Sequence, residues 1–345
     1  MGRKYFQGAN TASGYITLLD NNLVGIEKIY TLSGDSKKEK TKVFEYILSE
    51  IEDKFKNTEC IVNPYDIRNI DGIIIRDIKT AFVDREIFCG ERSAENIELN
   101  CRNDKKSDEI KALLEQETWA MDMFYKAYEK AKIIHDEWEG IYIKNIDFAR
   151  LEAYGDGIIT NLLGNKNGNK GTQNYHRFFG ASTPDGSVNY IDNLTENLSA
   201  RYFIKGRPGT GKSTFLKRLA KSANERGFDT ELYYCSFDKN SLDMVIVPEL
   251  SFCVFDSTAP HEMFPQNDRD SILDFYKESG LLGIDEKFER ELFDIAERYK
   301  QKISEGLAYL RLNKLYRREI EYIYGGSWSE TKARKIADTI LKKIQ

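Results

Sequence analysis

The chain has 345 residues, of which 41% are hydrophobic and 31% are charged, and its formal net charge is −5. This balance is typical of a globular protein long enough for two domains, and the negative net charge argues against a general attraction to nucleic acid or to an anionic membrane surface. No apolar run is long enough to cross a bilayer and the amino terminus shows no signal-peptide core, so we expect a cytoplasmic protein.

An internal repeat begins near the amino terminus. Shifting the chain by 172 residues (180 − 8, from Gly8 to Gly180) aligns the two halves without a gap from Phe6 to Asp84. Both halves open on FxGAxT, and identities in this register are about three times as frequent as average composition predicts. Self-similarity of this kind indicates an internal duplication.

The first half contains a polar loop, GDSKKEKTK, at residues 34–42. Relative to the second half, Lys37 and Glu39 replace glycines, whereas Lys40 and Thr41 keep a lysine and a hydroxyl. Side chains at the two glycine positions should obstruct a phosphate cradle, and the Glu39 carboxylate should repel an anion. We therefore expect no ordinary nucleotide binding in this half, with the alternative that its lysines form a different phosphate site.

Two long charged stretches, Ser107 to Glu139 and Glu286 to Tyr324, carry apolar residues at helical spacing. Another helical segment follows each stretch, so we expect an antiparallel helical hairpin appended to each half. Between the halves, Gly164 to Thr172 (GNKNGNKGT) is polar and rich in glycine, which is typical of an exposed linker. These features predict a first domain over 1–163, a linker over 164–172 and a second domain over 173–345.

The second half carries GRPGTGKST at residues 206–214, which fits the Walker A pattern GxxxxGK[ST]. About one accidental match is expected in roughly a hundred chains of this length. Arg201 to Lys205 is a predicted strand, and Ser213 to Arg226 is a predicted helix that ends before Gly227. Strand, glycine loop and helix in this order are the structural context that the motif needs. Within the loop, Arg207 either clamps phosphate or is solvated at the rim of the loop.

The residue types of this loop predict the chemistry of phosphate binding. Gly206, Gly209 and Gly211 allow backbone angles that turn consecutive N–H groups toward phosphate oxygens, beside the positive end of a helix. Lys212 would reach the β- and γ-phosphates, and the Ser213 hydroxyl would ligate Mg²⁺. The predicted nucleotide-binding residues are Gly206, Arg207, Pro208, Gly209, Thr210, Gly211, Lys212, Ser213 and Thr214.

A second element of the predicted site is the apolar run from Ser251 to Phe255, which ends at Asp256. A buried strand that delivers a carboxylate next to a Walker A loop is a Walker B candidate, holding Mg²⁺ through water. The alternative is an ordinary cap or turn aspartate. The next residue is Ser257, so the second acidic residue with which many hydrolases orient water is absent.

Two further residues complete the predicted catalytic set. Asp238 is either a base for an acceptor hydroxyl or a turn residue, because its counterpart Asp66 persists in the eroded half. Asp243 is expected to be structural for the same reason. His261 either contacts the γ-phosphate or the acceptor, or is a satisfied loop residue. The catalytic candidates are thus Lys212, Asp256, Asp238 and His261, with Ser213 and Asp256 as metal ligands.

The stretches FIKGRPGTGKSTFLKRLA and YYCSFDKNSLDMVIVPELSFCVFDSTAPHE, with the duplicated FxGAxT, resemble a bacterial family of tandem P-loop proteins. Its members are mostly described only by an expected ATPase activity. The resemblance covers nearly the whole chain and implies two P-loop NTPase-like domains, ATP binding through Gly206 to Thr214, and Asp256 as the Walker B carboxylate. Members often keep a glycine-rich loop in both halves, and GDSKKEKTK departs from that pattern, which argues against catalysis in the first half.

We therefore expect an α/β protein of two P-loop NTPase-like domains, each with a mostly parallel sheet, flanking helices and an appended helical hairpin. The leading hypothesis is Mg²⁺-dependent ATP hydrolysis in the second half, coupled to movement of the helices, with the first half as a regulatory or structural pseudo-domain. The alternatives are a kinase for a small molecule or nucleotide, and an ATP-gated binding module or scaffold. A protein partner through the hairpins stays open, whereas membrane and nucleic-acid partners are not expected.

Overall fold

The computed structural model describes residues 2–99, 108–168, 172–324 and 330–344, so Ser107 and residues 169–171 of the predicted linker lie outside the described residues. The protein is α/β, with two six-stranded mixed sheets and two short hairpins. Its helices are α1 (Leu19–Asn22), α2 (Lys37–Ile51), α3 (Asp108–Ile143), α4 (Phe148–Leu163), α5 (Ile191–Thr195), α6 (Lys212–Glu225), α7 (Phe275–Glu278), α8 (Ile284–Lys287), α9 (Glu289–Tyr324) and α10 (Glu330–Leu341).

The first sheet consists, in spatial order, of β1 (Arg3–Tyr5), β5 (Thr58–Val62), β6 (Ile70–Ile75), β7 (Thr80–Asp84), β4 (Lys28–Ser33) and β8 (Glu95–Glu98). Strand β6 is antiparallel to both of its neighbours, and the other pairings are parallel. The sheet is therefore mixed: five of its six strands run in the same direction, as expected of a mostly parallel sheet, and β6 is the exception. The reason is the short connection from β6 to β7, which turns at Lys79 with φ +49° and is too short for the crossover that a parallel pair needs.

The second sheet repeats this arrangement. In spatial order it consists of β9 (Asn174–Arg177), β13 (Thr230–Tyr234), β14 (Leu242–Val247), β15 (Phe252–Asp256), β12 (Ala200–Lys205) and β16 (Asp270–Asp274). Strand β14 is again antiparallel to both neighbours, and the turn residue Ser251, with φ +54°, is the counterpart of Lys79 (251 − 79 = 172). Identical strand order and turns agree with the predicted duplication.

The two halves meet around equivalent residues. Each half begins with a hairpin after its edge strand: β2 (Gly8–Thr11) with β3 (Gly14–Thr17), and β10 (Gly180–Thr183) with β11 (Gly186–Asn189). The equivalent residues Phe6 and Phe178 exchange backbone hydrogen bonds of 2.9 and 3.0 Å. A reciprocal contact between equivalent positions is what a two-fold axis produces, so the halves are related by an approximate two-fold axis at this bridge.

The long helices pair with each other across the two halves. Helices α3 and α9 have 36 residues each and run antiparallel, with Arg317 paired with Glu117 at 2.5 Å and Arg298 with Glu137 at 2.7 Å. Phe124 and other aromatic side chains fill the seam between these ion pairs. The expectation of a hairpin within each half is therefore wrong, because helical periodicity shows that a face is buried but not which element covers it.

The helices that follow are exchanged between the halves. Helix α4, in the sequence range 1–163, packs on α6, and its Leu151 and Ile158 share a core with Phe215. Helix α10 packs on α2 in the same way, with Ala337 against Phe44. Each sheet thus takes one covering helix from the other sequence repeat.

A buried ionic network also joins the halves. The guanidinium of Arg177 donates to Glu59 at 2.6 Å and lies 3.2 Å from Glu231, and the two glutamates are equivalent positions (231 − 59 = 172). Burial opposes the charged form of Glu59, but Arg177 and Arg76 outweigh it and lower the pKa of that carboxyl. Within the described ranges, no helix combines the length and apolar character needed to cross a bilayer.

Candidate functional site

The predicted strand, loop and helix are present in the second half. Strand β12 ends at Lys205, α6 begins at Lys212, and residues 206–211 form the connection, here called the glycine loop. Gly209 and Gly211 both have φ +77°, a conformation that other residues rarely adopt. A Cβ on Gly206 would lie 2.5 Å from the Thr210 hydroxyl oxygen. Gly209 and Gly211 are thus required by the backbone conformation, and Gly206 by the close approach of the Thr210 side chain.

The glycine loop presents unused backbone donors. The first N–H groups of a helix have no partner within the helix, and α6 starts immediately after the loop. In the part of the chain that the structure describes, the N–H groups of Gly211, Lys212 and Ser213 make no hydrogen bond. The positive end of the helix dipole lies at the same place. These donors are suited to the oxygens of an anion.

Lys212 and Asp256 come together beside this loop, as the sequence predicts. Strands β12 and β15 are parallel neighbours with Ile204 opposite Asp256, so the carboxylate emerges next to the loop. The Lys212 ammonium donates to the Arg207 carbonyl at 2.8 Å and lies 3.5 Å from the Asp256 carboxylate. Thr258 donates to that carboxylate from its backbone and its hydroxyl, at 3.1 and 2.7 Å. Asp256 is thereby oriented at the mouth of the loop.

Ser213 has a structural contact that is repeated in the first half. Its hydroxyl oxygen accepts a hydrogen bond from the Leu242 N–H at 2.9 Å, and the equivalent Thr41 accepts from the Ile70 N–H at 3.1 Å. This contact ties the first turn of the helix to the adjacent strand. A hydroxyl oxygen has two lone pairs, so the Ser213 oxygen retains acceptor capacity for a metal ion.

The other predicted loop residues shape its rim. The Arg207 guanidinium donates to Asp285 at 2.7 and 3.0 Å and lies over the Tyr276 ring. The Thr210 hydroxyl donates to the Arg207 carbonyl at 2.8 Å inside the loop. Pro208 is half-buried, and Thr214 is exposed on the first turn of α6. The Arg207 side chain is thus paired at the rim in this structure.

Asp243 lies next to this site, although the sequence assigned it a structural role. The register of β14 on β15 continues to place Asp243 opposite Asp256. Asp243 is buried, and burial together with the Asp256 charge raises the pKa of the Asp243 carboxyl to about 7. The Ser241 hydroxyl donates to it at 3.2 Å. The signal in the sequence was the strand–turn–strand pattern, whose register pairs these two positions.

His261 lies beside the same carboxylates. Its Nε2 atom is 3.9 Å from Asp243, and its ring packs edge-on against Phe179 with 5.0 Å between centroids. Its Nδ1 atom is buried and has no hydrogen-bond partner among the described residues. Burial lowers the pKa of the imidazole below its usual value, although the Asp256 charge opposes this. A role of His261 toward the γ-phosphate stays a prediction.

Asp238 has the contacts of a turn residue in both halves. It accepts from the Asn240 N–H at 2.9 Å, as Asp66 accepts from the Arg68 N–H at 3.2 Å. Its second carboxylate oxygen lies 3.3 Å from the ammonium of Lys132. Asp238 therefore also anchors helix α3, which belongs to the first half.

The carboxyl-terminal part of α3 covers the glycine loop. A Cβ at Gly209 would lie 3.0 Å from the Glu139 carbonyl oxygen. Burial raises the pKa of the Glu139 carboxyl; burial and the Lys132 charge lower the pKa of His135 to about 4. The ligand atoms of His135, Asp136 and Glu139 lie within 4.8 Å of one another, but Asp136 is already paired with Lys132. Sequence reasoning missed this group because it lies in the other repeat.

The equivalent place in the first half is filled by lysine side chains. Helix α2 begins at Lys37, whereas the counterpart of Lys212 is Lys40 (212 − 172), so the polar loop is partly helical. Lys40 pairs with Asp84 at 2.8 Å, and Lys37 pairs with the same carboxylate at 2.5 Å. Burial opposes the charge of Asp84, but both ammonium groups outweigh it and lower the pKa of the carboxyl. This pairing argues against a phosphate site built from these two lysines.

Comparison with known proteins adds no family to this description. No protein-family model, curated protein or solved structure matches the chain. The resemblance to tandem P-loop proteins therefore stays a prediction, and the function is argued below from the geometry of the glycine loop.

Proposed function

We propose that the second half binds Mg²⁺·ATP at the glycine loop and hydrolyses it, and that the first half is a pseudo-domain whose helix α3 covers the site. The observation that carries this proposal is the Walker A spacing in a conformation where Lys212 lies 3.5 Å from Asp256 beside free backbone N–H groups. In P-loop enzymes these parts bind phosphate and metal. The chain thus has the minimum set of residues needed to bind a nucleoside triphosphate.

The residues at the glycine loop fit both the nucleotide phosphates and Mg²⁺. A Cβ at any of the three loop glycines would meet a neighbouring atom or require strained backbone, so the cradle depends on their lack of side chains. The Ser213 hydroxyl and the Asp256 carboxylate are hard oxygen donors, which Mg²⁺ prefers. Mg²⁺ held by these two residues would offset the negative charge that develops on the transferred phosphoryl group.

Lys212 would exchange its present partner for the substrate. Its ammonium now donates to the Arg207 carbonyl, and a phosphate oxygen would replace that carbonyl. The N–H groups of Gly211 to Ser213 would donate to other phosphate oxygens and hold the γ-phosphorus in line for attack. Binding and orientation thus come from residues that are contiguous in the chain.

The base for the attacking water cannot be Ser257. Its hydroxyl is buried, donates to the Met263 carbonyl at 2.8 Å and accepts from the Met263 N–H at 3.0 Å. We assign the base to Glu139 of α3, a half-buried carboxylate within the electrostatic range of Lys212 and with a raised pKa. The water oxygen bonds to the γ-phosphorus, its proton passes to Glu139, and the bond from phosphorus to the ADP oxygen breaks.

The contact between α3 and the loop couples nucleotide binding to the helices. Ile143 and the Glu139 backbone lie against Gly209, so a change in the loop on binding ATP must displace this end of α3. Helix α3 packs along α9, and Arg317 of α9 lies over the Tyr65 ring of the first half. A shift of α3 would thereby reach the first sheet.

A second candidate is phosphoryl transfer to a small acceptor. It is favoured by the lack of an acidic residue after Asp256 and by Asp238, which lies beside Lys132 and within electrostatic range of Glu139. In this case Asp238 would take the proton of an acceptor hydroxyl. An ATP-gated scaffold is the remaining alternative and would use the same loop without turnover.

The test is steady-state phosphate release from Mg²⁺·ATP by the full-length protein. Lys212→Ala should abolish release, because it removes the ammonium that reaches the phosphates. Lys221→Ala, on the exposed side of the same helix, is the matched control and should behave as wild type. Equal turnover by Lys212→Ala and wild type would overturn the proposal. Nucleotide binding without release would favour the kinase or the scaffold.

A further inference from the structure

An aspartate pair faces across antiparallel strands in each half. Strand β14 pairs Met244 with Phe255, and β6 pairs Gly72 with Val83; continued by one residue, these registers place Asp243 opposite Asp256 and Asp71 opposite Asp84. The four residues are related by the same shift of 172 (243 − 71 and 256 − 84). Like charges directly opposite each other destabilise a sheet, so each pair calls for a cation.

In the first half, the cation is the ammonium of Lys37. It contacts the carboxylates of both Asp71 and Asp84, with 2.5 Å to the latter. Lys40 contributes a second ammonium at 2.8 Å from Asp84. The Asp71 and Asp84 side chains are 1% and 0% exposed, so these contacts replace hydration almost completely. The Lys37 nitrogen marks where a positive charge is required.

The second half keeps the carboxylates but lacks that lysine. The residue at the Lys37 position is Gly209 (209 − 172 = 37), and Lys212 is the one counterpart lysine retained. Across the described ranges, Asp243 makes no ion pair with a lysine or an arginine; His261 Nε2 lies 3.9 Å from it, and Lys212, which pairs with Asp256, acts on it only through its charge. The pair in the second half therefore has one lysine ammonium fewer than the pair in the first half.

The surrounding atoms indicate the kind of cation that fits. Ser213 accepts from the N–H of Leu242, the residue next to Asp243, so its hydroxyl lies beside the pair. Two carboxylates and a hydroxyl are hard oxygen donors, which suit Mg²⁺ or Mn²⁺. The Cys235 thiol beside them is hydrogen-bonded to the Asp243 carboxylate.

We infer that Asp243 and Asp256 together hold one divalent cation of the Mg²⁺ type, at the position that the Lys37 ammonium occupies in the first half. The inference rests on the proposed function, since it adds Asp243 to the metal site of Ser213 and Asp256. It also explains why Asp71 persists in a half without a glycine loop: Asp71 and Lys37 form the ionic equivalent of the carboxylate and its metal. The ion is held by the chain before nucleotide binds.

The test is Mn²⁺ binding to the EDTA-treated full-length protein without nucleotide, measured from the loss of the free Mn²⁺ electron paramagnetic resonance signal. Wild type should bind about one ion, as expected for a single oxygen-ligand site. Asp243→Asn should weaken binding about tenfold or more, and Asp71→Asn, the matched change in the first half, should leave it unaltered. Equal Mn²⁺ affinity of wild type and Asp243→Asn, or no binding by wild type, would overturn the inference.

Thermal unfolding separates a metal ligand from a merely structural residue. In EDTA, Asp243→Asn should unfold at or above the wild-type temperature, because it removes the like-charge contact. Added Mg²⁺ should raise the unfolding temperature of wild type and not that of the variant. A variant that is destabilised in EDTA yet still stabilised by Mg²⁺ would contradict the assignment.

This experiment distinguishes the inference from the proposed function. Mn²⁺ binding that depends on Asp243, in a protein that binds no ATP, would leave the metal site standing and remove the ATPase proposal. ATP binding that depends on Lys212, with no Mn²⁺ bound in the absence of nucleotide, would do the reverse.

Discussion

Lys37 and Gly209 occupy the same position in the two halves and create opposite kinds of site. The Lys37 side chain reaches between Asp71 and Asp84 and neutralises them inside the protein. Gly209 has φ +77° and no side chain, so its loop stays open toward an anion, while Asp256 pairs with a single lysine, Lys212, among the residues that the structure describes. In the first half a lysine side chain thus supplies the positive charge, whereas in the second half we infer that a bound cation supplies it.

The Lys37 pairing should contribute strongly to stability. Lys37→Met leaves two buried aspartates with only the Lys40 ammonium, so we expect a loss of about 3–5 kcal/mol in the free energy of unfolding. Urea unfolding followed by circular dichroism measures this. Lys42→Met is the control, because Lys42 pairs with Glu45 on the exposed surface, and should cost about 0.5 kcal/mol or less. Similar stability of the two variants would contradict a stabilising role of the Lys37 ion pairs.

The buried ionic network around Arg177 should hold the two halves together. Arg177→Met removes the cation that Glu59 and Glu231 share. Glu59 keeps Arg76 and Glu231 keeps Arg3, so we expect the protein to be destabilised by about 3 kcal/mol, the lower end for a broken buried ion pair. Arg68→Met removes an exposed arginine paired with Asp66 and should cost about 0.5 kcal/mol or less. Denaturant titrations of both variants compare them directly. If Arg177→Met were as stable as Arg68→Met, the buried ionic network would not be a main source of stability between the halves.

Glu139 should affect turnover more than binding. Glu139→Gln keeps the shape of the side chain but cannot accept the proton of the attacking water, so kcat should fall by about 10²–10⁴-fold with little change in ATP affinity. Glu137→Gln on the same helix is the control, since the exposed Glu137 side chain pairs with Arg298 of α9 and not with the glycine loop. Phosphate release and ATP binding are measured for both. An unchanged kcat for Glu139→Gln would remove it as the base.

His135 should make stability depend on pH. Its folded-state pKa is about 4, below the usual 6.5, so folding favours the neutral ring. The stability is fully present above pH 6.5 and is lost as pH falls toward 4, by at most about 1.4 kcal/mol per pH unit. The Glu139 carboxylate lies 3.8 Å from Nδ1 of the ring, and the other charged groups around it are Lys132, Asp136, Asp238 and Lys212.

Comparing unfolding temperatures of wild type and His135→Gln between pH 7 and pH 4 isolates this contribution. The variant should lose less stability on acidification, because glutamine does not take up a proton. Parallel curves for the two proteins would show that His135 does not titrate between these values.

The parts of the site that the sequence predicted are those that local residues determine. The glycine pattern, the strand before it and the helix after it depend on backbone preferences of neighbours, and Asp256 follows its own strand. The persistence of Asp243 in both repeats predicts a structural role, which stays a prediction. The structure places Asp243 beside Asp256, where we infer that it holds a metal ion, whereas Lys37 contacts the equivalent aspartates in the first repeat. A single residue type can thus persist for two related electrostatic reasons.

The parts that the sequence did not predict depend on long-range packing. The apolar faces of α3 and α9 are visible as periodicity, but nothing local says that each helix covers the other or that Glu139 lies against Gly209. The exchange of α4 and α10 has the same origin, because either sheet offers an equivalent apolar surface to a helix from either repeat. Because both repeats carry the same apolar pattern, the pattern within one repeat does not show which sheet its helix covers.

The most direct measurement of the central claim is isothermal titration calorimetry of Mg²⁺·ATP into the full-length wild-type protein and into Lys212→Ala. We predict about one site per chain in wild type, as for a single Walker A loop, with an affinity at least about tenfold weaker in Lys212→Ala. Absence of binding to wild type, or equal affinity in the two proteins, would contradict nucleotide binding at the glycine loop.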